Sequence, residues 1–262
     1  MPALQNGLEP ALAAAIRLMG KPGFEAALMA LFRQMVAPDN LIVLAYRDAG
    51  PPLVLWRQAS QRQVFAQTDS AYLGGAYLLD PYHALHQARV PAGAYPLAQV
   101  APDAFQRSRY YTEYYRGTTL LDEVTFIAYP VAGVSLTLCL GRDGSSGRVF
   151  SADDLALCHR LAPIILALAT RHWSQLDAQI GPALDVAGDL VLALERQGVR
   201  ITPRQAEVAL LILRGHSTPS IGLRLGVSPQ TVKVFRRQLY QRCGLTSQAE
   251  LFALLLPLLR SR

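Results

Sequence analysis

The chain has 262 residues, 51% of them hydrophobic, and carries a net charge of +6. This length favours two domains, and this composition excludes a disordered chain because it leaves enough apolar residues for a core in each. The longest apolar runs, such as residues 161–169, are too short to cross a bilayer, and the first residues lack a signal-peptide pattern. We therefore expect a soluble, cytoplasmic protein.

Charge is distributed unevenly along the chain. Residues 199–262 contain ten Lys or Arg and two acidic residues, whereas residues 1–198 contain fifteen basic and seventeen acidic residues. The basic surplus thus lies in the C-terminal part, as a phosphate-binding surface requires. The three cysteines lie in apolar runs without metal-ligand spacing, so we expect free, buried thiols.

The first domain, residues 1–176, is predicted to combine helices with strands. The pattern predicts a helix over 24–36, strands over 40–47 and 52–57, tyrosine-rich helical stretches near 72–77 and over 105–115, a hairpin of 122–129 and 134–141, and a helix from the Ser151 cap to about residue 172. Strands flanked by helices on both sides predict an α/β/α sandwich of the PAS/GAF kind, with a mainly antiparallel sheet.

The last predicted strand has two chemically different faces. Alternate residues of a strand point to opposite sides, so Ser135, Thr137 and Cys139 share one face, and the other is wholly aliphatic. A small polar face in a sheet covered on both sides favours a ligand cavity. The alternative is an outer face open to water.

Residues 177–198 are predicted to be a linker, and residues 199–262 a second domain of four helices. Caps and prolines mark helix starts at Thr202-Pro203, Thr218-Pro219, Ser228-Pro229 and Ser247, and Gly215, Gly226 and Gly244 mark helix ends. A short helix, a turn with glycine and a second helix form a helix-turn-helix.

The helix predicted over 229–243 is apolar on one side and basic on the other. Its apolar side carries Val232, Phe235, Leu239 and Cys243, spaced as one face of a helix, and Gln230, Lys233, Val234 and Arg237 lie opposite. A basic face of this kind by itself is often only a solvated surface.

These four helices resemble the DNA-binding domain of the LuxR/FixJ/NarL type. The matching residues are Ile201-Thr202-Pro203-Arg204, Glu207-Val208, Gly215-His216-Ser217, Ile221, Leu225-Gly226-Val227-Ser228, Thr231-Val232-Lys233 and Gly244-Leu245. Gly222 stands where alanine is usual. The resemblance implies a transcriptional regulator that places the helix over 229–243 in the major groove of double-stranded DNA.

The resemblance also implies roles for individual residues. Lys233, Val234 and Arg237 occupy the positions that contact bases, and Arg237 can hold guanine O6 and N7 with two hydrogen bonds. The implied phosphate contacts are Arg204, Ser228, Thr231 and Arg236. Such domains bind near-palindromic sites as dimers. We expect a homodimer formed through an apolar stripe on the last helix, consisting of Leu251, Leu254, Leu255 and Leu258.

The first domain resembles the autoinducer-binding domain that precedes the same DNA-binding domain in quorum-sensing regulators. The shared points are Asp80-Pro81, Tyr95 in the segment 92–97, and the closing order of helix, hairpin and long helix. The resemblance implies a small-molecule effector. The candidate ligand-binding residues are Tyr72, Tyr77, Asp80, Tyr95, Ser135, Thr137 and Cys139. In the alternative, Asp80 only caps a helix, and the domain serves only for dimerisation or for contact with another protein.

Other functional classes find little support. A phosphoacceptor domain needs a lysine after a late strand, and the two lysines, Lys21 and Lys233, are placed elsewhere. His83 and His86 are spaced to share a metal, but no third ligand is evident, and surface histidines are the simpler interpretation. We therefore expect no enzyme activity, no catalytic residues, no bound metal and no cofactor.

Overall fold

The computed structural model describes residues 7–47, 51–108, 110–176, 186–213 and 216–260, with the side chains of all of these except 186 and 256–260. The first domain consists of α1 (Leu8–Leu18), α2 (Phe24–Met35), β1 (Asn40–Arg47), β2 (Leu53–Ala59), α3 (Pro81–Gln87), β3 (Gly93–Pro96), α4 (Leu97–Val100), β4 (Leu120–Val131), β5 (Val134–Asp143) and α5 (Ala152–His172). The predicted strands and the long helix behind the Ser151 capping box are confirmed.

The five strands form one antiparallel sheet in the order β2-β1-β5-β4-β3. The central strand β5 pairs with β1 on one side and β4 on the other, so that Leu138 lies between Val43 and Phe126. This arrangement confirms the predicted mainly antiparallel sheet and both hairpins.

One face of the sheet carries the main apolar core of the domain. Val43, Phe126 and Leu138 are completely buried there and pack against α2 and α5. The rings of Phe32 in α2 and Phe126 in β4 lie 5.5 Å apart between their centroids. Each fully buried side chain of this size contributes about 1.5–3 kcal/mol, which makes this face the principal stabilising layer.

The other face is covered by α3 and by two tyrosine-rich segments, residues 62–79 and 105–118. Ser135, Thr137 and Cys139 lie on this face and are buried. The alternative of an outer face open to water is therefore wrong, and the domain has the three layers of an α/β/α sandwich.

The second tyrosine-rich segment is not the regular helix predicted over 105–115. Its described residues form short 3₁₀ turns at Phe105–Arg107 and Tyr115–Thr118 and a π turn at Tyr110–Tyr114. Aromatic residues are weak helix formers, and the rings of this segment pack against one another. The rings of Tyr110 and Tyr114 stack at 5.4 Å.

The C-terminal domain consists of α6 (Val186–Arg196), α7 (Pro203–Leu213), α8 (Thr218–Leu225), α9 (Pro229–Cys243) and α10 (Gln248–Arg260). The predicted bounds of α9 are confirmed, with Ser228 as N-cap and Gly244 in the left-handed conformation at φ 64°. Residues 186–196 of the predicted linker form α6, whose Leu190 and Leu194 are buried in the core of this domain.

The tight turn between α8 and α9 explains why Gly222 stands where alanine is usual. A Cβ on Gly222 would lie 2.8 Å from the carbonyl oxygen of Val227, which is too close for the tight turn into α9. Gly226 in that turn has the left-handed φ of 64°. Among the described residues, no helix combines the length and apolar character that a membrane crossing needs.

Candidate functional site: the DNA-reading helix and a tyrosine-lined cavity

The two sides of α9 differ in exposure as predicted. Val232 and Leu239 are buried in the domain core, whereas Lys233 and Arg237 are exposed and Val234 is half-buried. A helix held by its apolar side with its basic side in solvent is the geometry that enters a major groove.

The side chains predicted to contact phosphate differ in exposure and in the protein groups that they contact. Ser228 Oγ accepts the Thr231 N–H at 3.0 Å and lies 2.8 Å from Thr231 Oγ1, yet Ser228 remains exposed at the start of α9. Arg236 lies over the ring of Tyr240, with its guanidinium carbon 5.2 Å from the ring centroid. Ser228, Thr231 and Arg236 thus lie at the start and on the surface of α9, and none of them is buried.

Arg204 has a structural role in addition to its predicted contact with DNA. Its Nη1 lies 2.6 Å from Glu207 Oε2, and its Nη2 donates a hydrogen bond of 2.5 Å to the carbonyl oxygen of Leu225 at the end of α8. About two fifths of the Arg204 side chain, 42%, remains exposed. The guanidinium thus joins α7 to α8 and still reaches solvent.

The leucine stripe on α10 is not the free surface that the sequence suggested. Leu251 and Leu255 are completely buried within the protomer, because α6 and α7 cover that side of α10. Leu254 is half-buried, and the side chain of Leu258 lies outside the described residues. Leu251 and Leu255 therefore cannot form a dimer surface in this conformation.

A cavity lies between the sheet and the tyrosine-rich segments of the first domain. Its volume is about 50 Å³, counted as the space that the centre of a water molecule can reach, and the surrounding empty space, which includes open solvent, is about 510 Å³. Three of the predicted ligand-binding residues line it: Tyr72, Asp80 and Cys139. The part that the centre of a water molecule can reach has room for more than one water.

The other four predicted ligand-binding residues do not line this cavity. Each of them contacts protein. Tyr77 is buried against the ring of Tyr72. Tyr95 donates its hydroxyl to the carbonyl oxygen of Pro91 at 2.6 Å. Ser135 Oγ hydrogen-bonds to His86 Nδ1, and Thr137 Oγ1 donates to the carbonyl oxygen of Leu44 at 3.4 Å.

His83 and His86 are buried, so the interpretation as surface histidines is wrong. They pack beneath the sheet beside Tyr46, whose ring centroid lies 5.2 Å from that of His86. Among the residues that the structure describes, no group of His, Cys, Asp and Glu has the geometry of a metal site.

Asp80 is held from two directions at the edge of the cavity. Its Oδ1 accepts the Tyr82 N–H at 2.8 Å and so caps α3, while its Oδ2 accepts the Tyr72 hydroxyl at 2.6 Å. Tyr72 in turn lies 2.7 Å from Tyr46, hydroxyl to hydroxyl. Burial raises the pKa of Asp80 above its ordinary value, and the hydrogen bonds from Tyr72 and Tyr82 oppose that shift.

Sequence reasoning missed a second acid in this cavity, Glu123. Burial, helped by the nearby charge of Asp80, raises the pKa of Glu123 to about 8. Glu123 belongs to β4 and shares the inward face with Thr125, which pairs with Cys139 of β5. The sequence contained a signal for this placement, because alternate residues of a strand point to the same side and residues 123 and 125 are two apart. The tyrosines of the second segment were also missed: Tyr110, Tyr114 and Tyr115 line the cavity.

Comparison with known proteins identifies the family of this chain. Residues 199–255 match the model of the bacterial regulatory proteins of the luxR family. A protein of Aeromonas salmonicida, named as an HTH-type transcriptional regulator in the exeN 3′ region, is 33% identical over 184 residues, which cover 68% of this chain and 93% of the relative. The chain belongs to the LuxR family of bacterial regulatory proteins. It is therefore a DNA-binding transcriptional regulator rather than an enzyme.

The first domain of this LuxR-family regulator also has solved structural neighbours. The LBD domain of VqsR from Pseudomonas aeruginosa matches with a TM-score of 0.56 and 25% identity, over 66% of this chain and 99% of that domain. SdiA from Escherichia coli matches with a TM-score of 0.45 and 15% identity, over 96% of this chain and 97% of the other. The VqsR match agrees with the fold of the sheet and its covering helices.

Proposed function

We propose that this LuxR-family regulator binds a small molecule in the tyrosine-lined cavity and that the bound molecule controls DNA binding by the C-terminal domain. The observation that carries the proposal is Asp80, a half-buried carboxylate that lines the cavity and whose pKa is raised by desolvation. A buried acid is costly unless hydrogen bonds satisfy it, and its remaining lone pairs suit a donor on a ligand. The likeness to a VqsR domain described as an LBD also supports this role.

The proposed DNA contacts are those of the exposed side of α9 and its start. Lys233, Val234 and Arg237 read bases, and Arg204, Ser228, Thr231 and Arg236 contact phosphates. Lys233 and Arg237 are exposed, which supports their assignment to base contacts, because a side chain that contacts a base must be accessible from solvent.

We also propose that the regulator acts as a homodimer on two half-sites about one helical turn apart, the spacing typical of helix-turn-helix dimers. The dimer surface must lie elsewhere than at Leu251 and Leu255, because these side chains are completely buried. A monomeric mass at working concentration, together with a footprint over one half-site, would contradict this part of the proposal.

A rival function is that the first domain is only a dimerisation scaffold. The observation in its favour is the small enclosed volume, about 50 Å³. The two functions differ in the response of DNA binding to an extract of cells that contains the inducing molecule. Under the ligand proposal the extract changes operator affinity and raises the melting temperature of the full-length protein. Under the rival, neither quantity changes.

A further inference from the structure

Asp80 and Glu123 enter the same cavity from different layers of the domain. Asp80 lies at the start of α3, and Glu123 lies on the inward face of β4. Both side chains are half-buried, and both line the cavity. Two carboxylates that line one cavity repel each other when both are charged, so a positive charge between them would allow both to ionise.

The protein itself supplies no such charge among the described residues that line the cavity, none of which is Lys, Arg or His. The titratable groups that face Glu123 are Asp80, Asp122, Tyr82, Tyr110, Tyr114, Tyr115 and Cys139. Every member of this set is an acid, and burial raises the pKa of the Cys139 thiol and the Tyr115 hydroxyl. Any balancing cation must therefore come with the occupant.

A buried hydroxyl in the cavity is also poorly hydrogen-bonded. Tyr115 is 5% exposed, and its Oη makes no hydrogen bond of ordinary geometry with any residue that the structure describes. The hydroxyl is near enough to Glu123 to lower the pKa of that acid, yet the two atoms are not placed for a regular hydrogen bond. A ligand donor or acceptor at this point would complete the hydrogen bonding of this hydroxyl.

We propose that the cavity recognises a small primary or secondary ammonium group, held between the carboxylates of Asp80 and Glu123 and enclosed by tyrosine rings. This proposal rests on the proposed function and specifies its ligand class. The N–H groups of an ammonium donate to both carboxylates, and the faces of aromatic rings attract a cation. A quaternary ammonium has no N–H donor and a carboxylate repels the two acids, so both are poorer occupants.

Binding of an ammonium should release a proton. In the empty cavity Glu123 has a pKa of about 8 and holds its proton at pH 7. A bound cation stabilises the charged carboxylate and lowers this pKa, so that Glu123 gives its proton to solvent. The affinity for an ammonium that stays charged should therefore rise with pH up to about 8, by at most about tenfold per pH unit.

The test compares three probes of similar size on the full-length protein: 2-phenylethylammonium, 2-phenylethanol and phenylacetate. Only the ammonium should raise the melting temperature of the wild type. The variant Glu123→Gln should weaken its binding by about tenfold or more, because a charge-assisted hydrogen bond is lost. Glu113→Gln, the same change at an exposed residue, is the matched control and should keep wild-type affinity.

Calorimetry of the wild type in two buffers of different ionisation enthalpy gives a second readout that does not depend on a variant's folding. Release of a proton at pH 7 supports the proposal. An equal shift with 2-phenylethanol, undiminished ammonium binding by Glu123→Gln, no proton release, or no shift with any probe would each overturn the ammonium class. If the operator affinity of the same preparation still responds to cell extract, the proposed function stands; if it does not, both fail.

Discussion

The hydroxyl of Tyr72 donates a 2.6 Å hydrogen bond to Asp80 Oδ2, while Asp80 Oδ1 caps α3 by accepting the Tyr82 N–H. The sequence had offered helix capping and ligand binding as alternatives for Asp80. The cap uses only Oδ1, so it does not exclude contact between the other oxygen and a ligand.

Asp80→Asn should separate these roles. Asparagine is as good an N-cap as aspartate, so the unfolding free energy should change by less than about 1 kcal/mol. The response of operator binding to inducing extract should be lost, because the charge that faces the ligand is gone. Gel-shift titration with and without extract measures this. Asp69→Asn, at an exposed aspartate paired with Arg57, is the control and should respond like the wild type. A normal response of Asp80→Asn would remove Asp80 from the ligand site.

Arg237→Ala should lower affinity for the specific operator by about 1–3 kcal/mol and relax base preference at one position. The exposed guanidinium has no role in the core of α9, so stability should not change. Competition titrations against operators substituted at each base pair measure the preference. Equal losses on operator and on random DNA would mean that Arg237 contacts phosphate and not a base.

Arg204→Ala should act differently, because Arg204 bridges Glu207 and the carbonyl oxygen of Leu225. The loss of these hydrogen bonds should reduce the stability of the C-terminal domain by about 1–3 kcal/mol. Binding should weaken on all sequences alike, with a flatter dependence on salt. Thermal unfolding and salt titrations check the two effects separately. A sequence-dependent loss without destabilisation would contradict both expectations.

Glu123→Gln should stabilise the empty protein more at pH 8 than at pH 5. Glu123 has an ordinary pKa of 4.5 and a folded-state pKa of about 8. Between these two pH values the folded state therefore binds more protons than the unfolded chain. The contribution of Glu123 to the free energy of unfolding falls as pH rises from about 4.5 to 8. Glutamine removes that dependence, with an effect on the order of a few kcal/mol. Melting curves of both proteins across this range provide the measurement, and parallel curves would show that Glu123 titrates normally.

Asp103 joins the two domains, and its removal should raise DNA affinity. Its carboxylate accepts the Ser217 N–H at 3.3 Å, at the start of α8, and Arg236 of α9 lies in the space beside this contact. The first helix of a helix-turn-helix crosses the DNA backbone, so phosphate and Asp103 would compete for the same helix start. Asp103→Ala should raise the operator affinity of the full-length protein roughly twofold to fivefold. Asp153→Ala, at the start of α5, is the control; no difference between the two variants would leave this contact without influence on DNA binding.

Features that depend on neighbours in the chain were predictable. The bounds of α9 follow from the Ser228 cap, Pro229 and the left-handed Gly244, and β1 follows from a run of apolar residues between turn signals. The family resemblance added the roles of Lys233 and Arg237, and their exposure is consistent with those roles. In each case the cause is local, because a cap, a turn or a helix face involves residues only a few positions apart.

Contacts between distant segments required the folded chain. The alternation of β5 placed Ser135, Thr137 and Cys139 on one face, but only packing assigns Ser135 to His86 and leaves Cys139 at the cavity. Periodicity also placed Leu251 and Leu255 on one side of α10 without indicating that the same domain covers them. Asp80 and Glu123 meet because the α3 layer lies over β4. The raised pKa of Glu123 depends in part on the charge of Asp80, and the raised pKa of Asp80 depends on burial. Both causes come from groups that the chain brings together only when it folds.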